Sequence, residues 1–312
     1  MKAVRIHEYG DVDVLRVEDA PRPVPGAGEV LVKVAATAYN AVDEKLRSGE
    51  LARFYPLSFP YTPGLEFSGT VVQPGADVRD LTPGQAVVAF PALTVAGGAA
   101  EFAVVPAAAL APAPATVSLA DAAALPIAAL TADQALFELG GLRSGQRVLI
   151  NGAGGAVGGM AIQLAKNAGA TVLATAAPRS AAAVRAQGAD ELIDYTTAPV
   201  LDAVTGRVDL LINLVAGAPD DISRLTALVV DGGKAVSVVP MPLTGDEARG
   251  ITWSTFNARA DMSRLADLAA AVDKGELKLD ISARYPFTEL ATVQTAGRTG
   301  QFRGKVLLTV ED

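Results

Sequence analysis

Three glycines spaced three apart, Gly152, Gly155 and Gly158, stand where the apolar run Val148 to Asn151 passes without a break into a helix-like pattern. Small residues at such a junction let the backbone turn tightly and approach a pyrophosphate, whose charge is met by the free amides and positive dipole end of the helix. Gly152, Ala153, Gly155, Ala156, Val157 and Gly158 are therefore expected to cradle the phosphates of a dinucleotide. The spacing is G-x-x-G-x-x-G and departs from the usual G-x-G-x-x-G, because Val157 holds the sixth position counted from Gly152. Context carries the reading: a strand before, a helix after, and a second β-like run at Thr171 to Thr175 complete a βαβ unit.

An NAD site holds the ribose 2′-hydroxyl with a carboxylate at the end of that second strand, roughly 20 residues beyond the glycines. Here the chain reads Ala174-Thr-Ala-Ala-Pro-Arg179-Ser180, with no acid. Arg179 offers a forked, permanently charged donor to a 2′-phosphate, and Ser180 or Thr175 a hydroxyl. NADP(H) is the expected cofactor.

The elements around these residues come in two textures. From Met1 to Val105 short apolar strands alternate with Gly and Pro turns, interrupted by one short helix between Asn40 and Gly49, as in a barrel-like or sandwich module. After the Ala/Pro stretch Ala111 to Thr116, helices are expected at Leu119 to Pro126 and Ala128 to Leu139. Strands then follow at 148–151, 171–175, 191–194, 209–214, 234–239 and 251–255, with helices at 157–168, 180–187, 199–204 and 220–229. This βα alternation predicts a doubly wound parallel sheet, an α/β Rossmann domain. A further helix at 261–274 presents Leu265, Leu268, Ala269 and Val272 on one face, and the tail returns to β texture at 281–287 and 305–310, which is expected to pair with the N-terminal module. The predicted domains are 1–118 with 276–312, and 119–275.

Composition removes several functions. Cysteine is absent, which excludes disulfides, catalytic thiolates and cysteine-ligated zinc, and the single histidine, His7, reads as a surface or turn residue with no triad to join. The net charge of −8, with no Lys/Arg cluster to offset it, argues against nucleic acid or an anionic membrane as partner. No breaker-free apolar stretch approaches the ~20 residues of a membrane span. The opening Met-Lys-Ala-Val-Arg-Ile reads as strand and not as a secretory leader, so a cytoplasmic location is expected.

The order and spacing of several motifs carry a family resemblance over essentially the whole chain. They are Ala3-Val-Arg-Ile-His-Glu-Tyr-Gly, Asn40-Ala-Val-Asp43 with Arg47-Ser-Gly, Pro63-Gly64-Leu-Glu66-Phe-Ser-Gly69, Leu130-Thr131-Ala-Asp-Gln-Ala-Leu136, the glycine cluster, and Arg303-Gly-Lys-Val-Leu-Leu-Thr. Together they resemble the zinc-free medium-chain dehydrogenases/reductases, in the quinone oxidoreductase and enoyl reductase branch. The resemblance implies that the β-rich module, built from both chain ends, is a GroES-like catalytic domain. Zinc-binding relatives carry a cysteine near Asn40 and a histidine where Leu65 stands, so zinc-alkoxide alcohol dehydrogenation is not expected. It also implies that Arg179 and Tyr195 touch the 2′-phosphate, and that Asn40, Thr131, Asn213 and the backbone of Val239 and Pro240 meet the nicotinamide end. Plain alternatives are a helix cap for Asn40 and a turn residue for Asn213. Relatives are often dimers joined through the nucleotide-binding sheets, and the apolar Ile251 to Phe256 run permits a homodimer here.

Without a metal, a nicotinamide reduces carbons that are already electron-poor, because the charge formed spreads onto oxygen and needs only hydrogen-bond donors. The expected substrates are small molecules, quinones or α,β-unsaturated carbonyls including enoyl thioesters. Lys45, Asp43, Tyr39, Tyr55 and Tyr61 are candidates for the proton donor; Lys45 stands where many similar reductases have tyrosine, and a desolvated lysine could donate. Tyr39, Tyr55, Tyr61 and Trp253, with Phe54, Phe59 and Phe256, could line a flat apolar pocket. The competing reading is a non-catalytic NADPH-binding or structural protein that has kept the fold.

Overall fold

The computed structural model describes residues 1–310. Its contacts divide the chain into two units: Met1–Ile127 with Ala260–Gly275 and the stretch from Leu279 on, and Ala128–Arg259 with Glu276–Lys278.

The first unit opens with β1 (Lys2–Arg5), β2 (Arg16–Asp19), β3 (Glu29–Ala38), α1 (Ala41–Ser48), β4 (Phe67–Pro74), β5 (Ala86–Ala89), β6 (Phe102–Pro106), β7 (Leu110–Pro112) and α2 (Leu119–Ala122). β3 is its spine. Val30, Val32 and Val34 share one face of the pleat and pack with Phe67, Val71, Val87, Ala103 and Val105 from the strands beside it. Each valine or phenylalanine side chain so removed from water contributes roughly 1.5–3 kcal/mol.

Next in the chain, α3 (Pro126–Asp133) runs on as a π-helix over Gln134–Leu139. The stretch Leu119–Leu139, broken by Asp121, Pro126 and Asp133, is long and apolar enough to cross a membrane by length and composition alone; 78% of its apolar window is buried inside the protein, as in a core helix.

The second unit continues with β8 (Arg147–Asn151), α4 (Ala156–Asn167), β9 (Thr171–Thr175), α5 (Pro178–Ala186), β10 (Glu191–Ile193), α6 (Val200–Ala203), β11 (Val208–Asn213), α7 (Pro219–Arg224), β12 (Val229–Ser237) and β13 (Thr252–Thr255). These form a six-stranded sheet in the order β10-β9-β8-β11-β12-β13, every pair parallel. The chain moves outward in opposite directions from β8 and β11, so their carboxyl ends mark the topological switch point where such sheets bind ligands. β12 begins five residues earlier than the expected 234 because Gly232-Gly233, which reads as a turn, lies inside the strand. The register slips there, from Val208↔Val229 to Leu210↔Lys234.

The chain returns to the first unit with α8 (Met262–Asp273), β14 (Ile281–Pro286), α9 (Leu290–Arg298) and β15 (Lys305–Thr309). β15 pairs antiparallel with β3, so the C-terminal run does join the N-terminal sheet. Two helices assigned to the nucleotide domain by sequence belong here instead. Ala123 and Ala124, at the end of α2, pack on Ala36, Ala38 and Leu307 through side chains small enough to seat the helix on the sheet. α8 is tied by Asp273, whose carboxylate accepts from the amides of Ala115 and Thr116, both at 2.8 Å. The boundaries therefore fall near 127 and 260 in place of 118 and 275.

α9 was not expected. Thr292, Val293, Thr295 and Gly297 give it poor helix propensity, and tertiary contacts override that: Leu290, Val293 and Gln294 are buried, and Gln294 Oε1 accepts from Arg47 Nε at 2.7 Å.

Candidate active site

In the second unit β8 ends at Asn151 and the chain turns at Gly152 with φ +96°, a left-handed conformation that glycine adopts without a steric penalty. A Cβ at Gly158 would stand 2.5 Å from the Ala153 Cα, so only glycine lets the first turn of α4 press against the loop. Gly155 is the N-cap, and no side chain caps the helix. Its leading amides, at Ala156 and Val157, remain open to an anion beside the positive helix end. A cradle that a Cβ would fill, with an uncapped 12-residue helix behind it, fits a pyrophosphate.

Thr175, at the tip of β9, is buried, and its hydroxyl is already engaged: Oγ1 accepts from Gly152 N at 2.8 Å and donates to Asn151 Oδ1 at 3.1 Å. It therefore shapes the turn, which differs from the hydroxyl offered to a 2′-phosphate that the sequence suggested. Ser180 is likewise buried, donating to Ala177 O at 3.2 Å, and lies under Gly154, where a Cβ would meet its Oγ at 2.6 Å. Arg179, on the first turn of α5, and Tyr195, just past β10, are exposed. Asp194, the acid next to Tyr195, turns its carboxylate into its own loop, accepting from Thr196 Oγ1 at 2.6 Å and Thr196 N at 2.9 Å; those bonds hold it below the usual carboxylate range.

At the tips of β11 and β12, Asn213 and Ser237 are fully buried. Asn213 Oδ1 accepts from Asn151 Nδ2 at 2.9 Å; its own Nδ2 donates to Val215 O at 2.9 Å and to Ser237 Oγ at 3.2 Å. Ser237 Oγ donates to Val239 O at 2.9 Å and accepts from Val239 N at 3.2 Å. Val239 is half-buried, Pro240 exposed, and Thr131 buried within α3. Asn151 and Ser237 were not anticipated from the sequence, because their partners lie on strands 62 and 24 residues away.

The first unit holds a second polar cluster, at the junction of β3 and α1. Asn40 stands at the N-cap of α1, but its side chain makes no capping hydrogen bond. Its Nδ2 donates to Glu66 Oε1 at 2.9 Å and Ala38 O at 3.2 Å, while Oδ1 accepts from Lys305 Nζ at 2.7 Å. Lys305 also forms an ion pair with Glu66 Oε1, and the other oxygen of Glu66 accepts from Ile127 N at 2.7 Å, in the first turn of α3. Glu66 is fully buried and Lys305 nearly so. The sequence carried a signal for both, since a charge inside an apolar run must find a partner once buried. Beside them lies Asp43, whose Oδ1 accepts from Gly64 N at 3.0 Å and whose Oδ2 is buried without a partner. Burial pushes Asp43 up to about 7; the Gly64 amide and Lys305 oppose the rise and the charge on Glu66 adds to it.

Lys45 is placed otherwise than a desolvated donor would be: its side chain is 44% exposed and its ammonium lies 3.0 Å from Glu50. Tyr39 packs among Leu290, Val293 and Phe302 and donates to Glu44 Oε1 at 2.5 Å; burial raises its pKa. Tyr61 is buried and donates to Leu93 O at 3.0 Å, again with its pKa raised by burial, and Tyr55 packs half-buried beside it in the same cluster. Trp253 lies in β13, partly buried against the sheet core, with its indole nitrogen unpartnered. Phe54 and Phe59 are exposed. Among the described residues no group of three His, Asp or Glu is placed to hold a metal ion.

Residues 26–115 match the alcohol dehydrogenase GroES-like domain and residues 187–308 the zinc-binding dehydrogenase family. Over 99% of its length the chain is 32% identical to the chloroplastic quinone-oxidoreductase QR1 of Triphysaria versicolor, covering 98% of that protein. The chain belongs to the quinone oxidoreductase branch of the medium-chain dehydrogenases/reductases. The structure of the quinone oxidoreductase from Coxiella burnetii superimposes with a TM-score of 0.90 at 30% identity, covering 100% of this chain and 99% of that one. A mycobacterial structure in complex with NADPH matches with a TM-score of 0.85 at 26% identity, over 99% of this chain and 100% of that one. As in the other oxidoreductases of this branch, the chain joins a GroES-like domain to a Rossmann-type sheet, the fold its motifs implied.

Proposed function

We propose that this oxidoreductase works without metal and uses NADPH to reduce a quinone or the conjugated C=C of an α,β-unsaturated carbonyl. The observation that carries the cofactor reading is the acid-free end of β9. Arg179 stands exposed one turn beyond it, and the nearby acid, Asp194, is folded into its own turn. A 2′-phosphate meets a charged, forked donor there and no facing carboxylate. That a mycobacterial neighbour was solved with NADPH supports the same reading.

Bound NADPH would supply the hydride. The Gly152–Gly158 turn and the open end of α4 hold its diphosphate, Arg179 and Tyr195 its 2′-phosphate, and the Val239–Pro240 backbone its nicotinamide end. The donor set opposes a catalytic zinc: Asn40 is committed to Lys305 and Glu66, and Leu65, fully buried, offers no ligand atom. An acceptor whose developing charge is delocalised is what such a site can reduce. The proton comes from solvent in this scheme, because Lys45 is drawn to Glu50.

The test is oxidation of NADPH, and separately NADH, with a panel of quinones, enones and enoyl thioesters, on protein whose metal content has been measured. NADPH turnover with at least one class, without zinc, is the expected result. Preference for NADH would overturn the cofactor assignment; tight NADPH binding with no turnover across the panel would turn the protein into a binding module. Lys45→Ala should keep activity within about twofold, as a solvated surface pair contributes little.

A further inference from the structure

The polar side chains at the tips of four neighbouring strands form one continuous line in spatial order, β9, β8, β11, β12. Gly152 N–H donates to Thr175 Oγ1, Thr175 O–H to Asn151 Oδ1, Asn151 Nδ2 to Asn213 Oδ1, Asn213 Nδ2 to Ser237 Oγ, and Ser237 O–H to Val239 O. Every bond lies between 2.8 and 3.2 Å.

All donors point the same way, and the backbone leaves them no alternative. A peptide N–H at Gly152 can only donate, which makes Thr175 Oγ1 an acceptor and turns its own hydrogen toward Asn151. A peptide C=O at Val215 can only accept, which fixes the amide group of Asn213 with Nδ2 outward and Oδ1 toward Asn151. With Asn151, Thr175, Asn213 and Ser237 all buried, no water competes for these bonds. In such surroundings each bond polarises the next, and an interrupted line leaves buried groups unpaired on both sides of the break.

We propose that Thr175, Asn151, Asn213 and Ser237 act as a single polarised unit that sets the phosphate turn at Gly152 and the segment at Val239 together, making Asn151 and Ser237 positioning residues for the dinucleotide. The inference rests on the reading that this sheet end binds NADPH at both places. It goes further by joining them: Ser237 acts on the diphosphate through Asn213, Asn151 and Thr175, and Thr175 acts on the nicotinamide end through the same bonds in reverse. The two ends of the site are then shaped as one before any cofactor arrives, so less ordering remains to be done on binding.

A double-mutant cycle tests this. β9 and β12 are three strand spacings apart, so Thr175 and Ser237 stand roughly 14 Å from each other. Independent sites at that separation have effects that multiply. Thr175→Val and Ser237→Ala each remove one hydroxyl with little change of shape, and each is expected to weaken NADPH about tenfold by leaving buried partners unmade. If the line is one unit, the double variant binds within about threefold of the weaker single variant, because a line already broken loses little more. Ser237→Thr, which keeps the hydroxyl, should restore binding. Ser237→Ala should also weaken 2′,5′-ADP, a fragment with no nicotinamide, which a role confined to Val239 would leave untouched.

The same cycle is run by urea unfolding of the ligand-free protein. If wild-type protein fails to bind NADPH, the proposed cofactor falls while the unfolding cycle still decides whether the line is coupled. Effects that multiply in the unfolding cycle, or full retention of 2′,5′-ADP binding in Ser237→Ala with NADPH weakened, would overturn the inference.

Discussion

Replacing Lys305 with methionine tests how the buried charges of the first unit are balanced. Among the described residues Lys305 Nζ is the cation in contact with Glu66, and it also holds Asn40 Oδ1 at 2.7 Å. Methionine preserves the length and apolar stem of the side chain, so packing at the start of β15 changes little. Left behind are a carboxylate with no solvent access and an asparagine oxygen without its donor. Breaking a buried pair by removing one partner costs about 3–5 kcal/mol. The Ile127 amide, which still reaches Glu66, offsets part of this, so a loss of about 3 kcal/mol is expected. With an unfolding free energy of about 5–15 kcal/mol for a typical domain, that loss is measurable and survivable. Urea unfolding followed by circular dichroism gives the midpoint and slope. Lys305→Met combined with Glu66→Gln removes both charges, and should recover most of the loss. A single variant within 1 kcal/mol of wild type, or a double variant as unstable as the two losses added, would refute the argument.

Asp43 titrates near 7 when folded against an ordinary value of 3.8, so the native state binds its proton more tightly than the unfolded chain does. Stability contributed by that proton is fully present below about pH 4 and is lost as pH rises through about 7, with a slope no steeper than about 1.4 kcal/mol per pH unit. Asp43→Asn, which cannot lose a proton and keeps an acceptor for Gly64, should flatten the stability profile between pH 4 and 7, read from urea midpoints in a pH series. Gly158→Ala drives a methyl into the Ala153 backbone at 2.5 Å; NADPH affinity should fall at least tenfold, by fluorescence titration, while the circular dichroism spectrum is kept. Arg179→Ala should raise the KM for NADPH by about tenfold and leave that for NADH unchanged, the loss of one exposed charge-assisted contact to phosphate.

How far the sequence could be read depended on the range of the interactions involved. Val148 to Asn151 and Thr171 to Thr175 are apolar runs with a helix pattern between them, so the parallel sheet and its glycine turn were legible from local pattern alone. α2 and α8 were placed in the wrong unit because their apolar faces look the same whichever sheet they cover; Ala36, Leu307 and the Asp273 contacts decide it, and these come from distant parts of the chain. α9 was invisible because its own residues favour strand. The polar groups were the least legible. Asn40, Glu66 and Lys305 meet only because β15 returns to β3, and the side chain of Thr175, read as reaching outward for a phosphate, is turned inward by Gly152 and Asn151.

The contact between Thr175 and the Asn151–Gly152 pair bears on how long the protein lasts. An asparagine followed by glycine is the dipeptide at which chains age: the glycine amide nitrogen attacks the asparagine side-chain carbonyl, ammonia leaves, and the cyclic imide hydrolyses to aspartate or isoaspartate. Here the attacking nitrogen donates its hydrogen to Thr175 Oγ1 at 2.8 Å, and the amide under attack is held at both ends, by the same hydroxyl at 3.1 Å and by Asn213 at 2.9 Å. The residue that shapes the turn therefore also pins both partners of that reaction, so attack requires these hydrogen bonds to break first. Deamidation would place a new negative charge beside the turn proposed to hold a diphosphate, and the bonds made by Thr175 oppose this slow chemical clock built into the chain's own sequence.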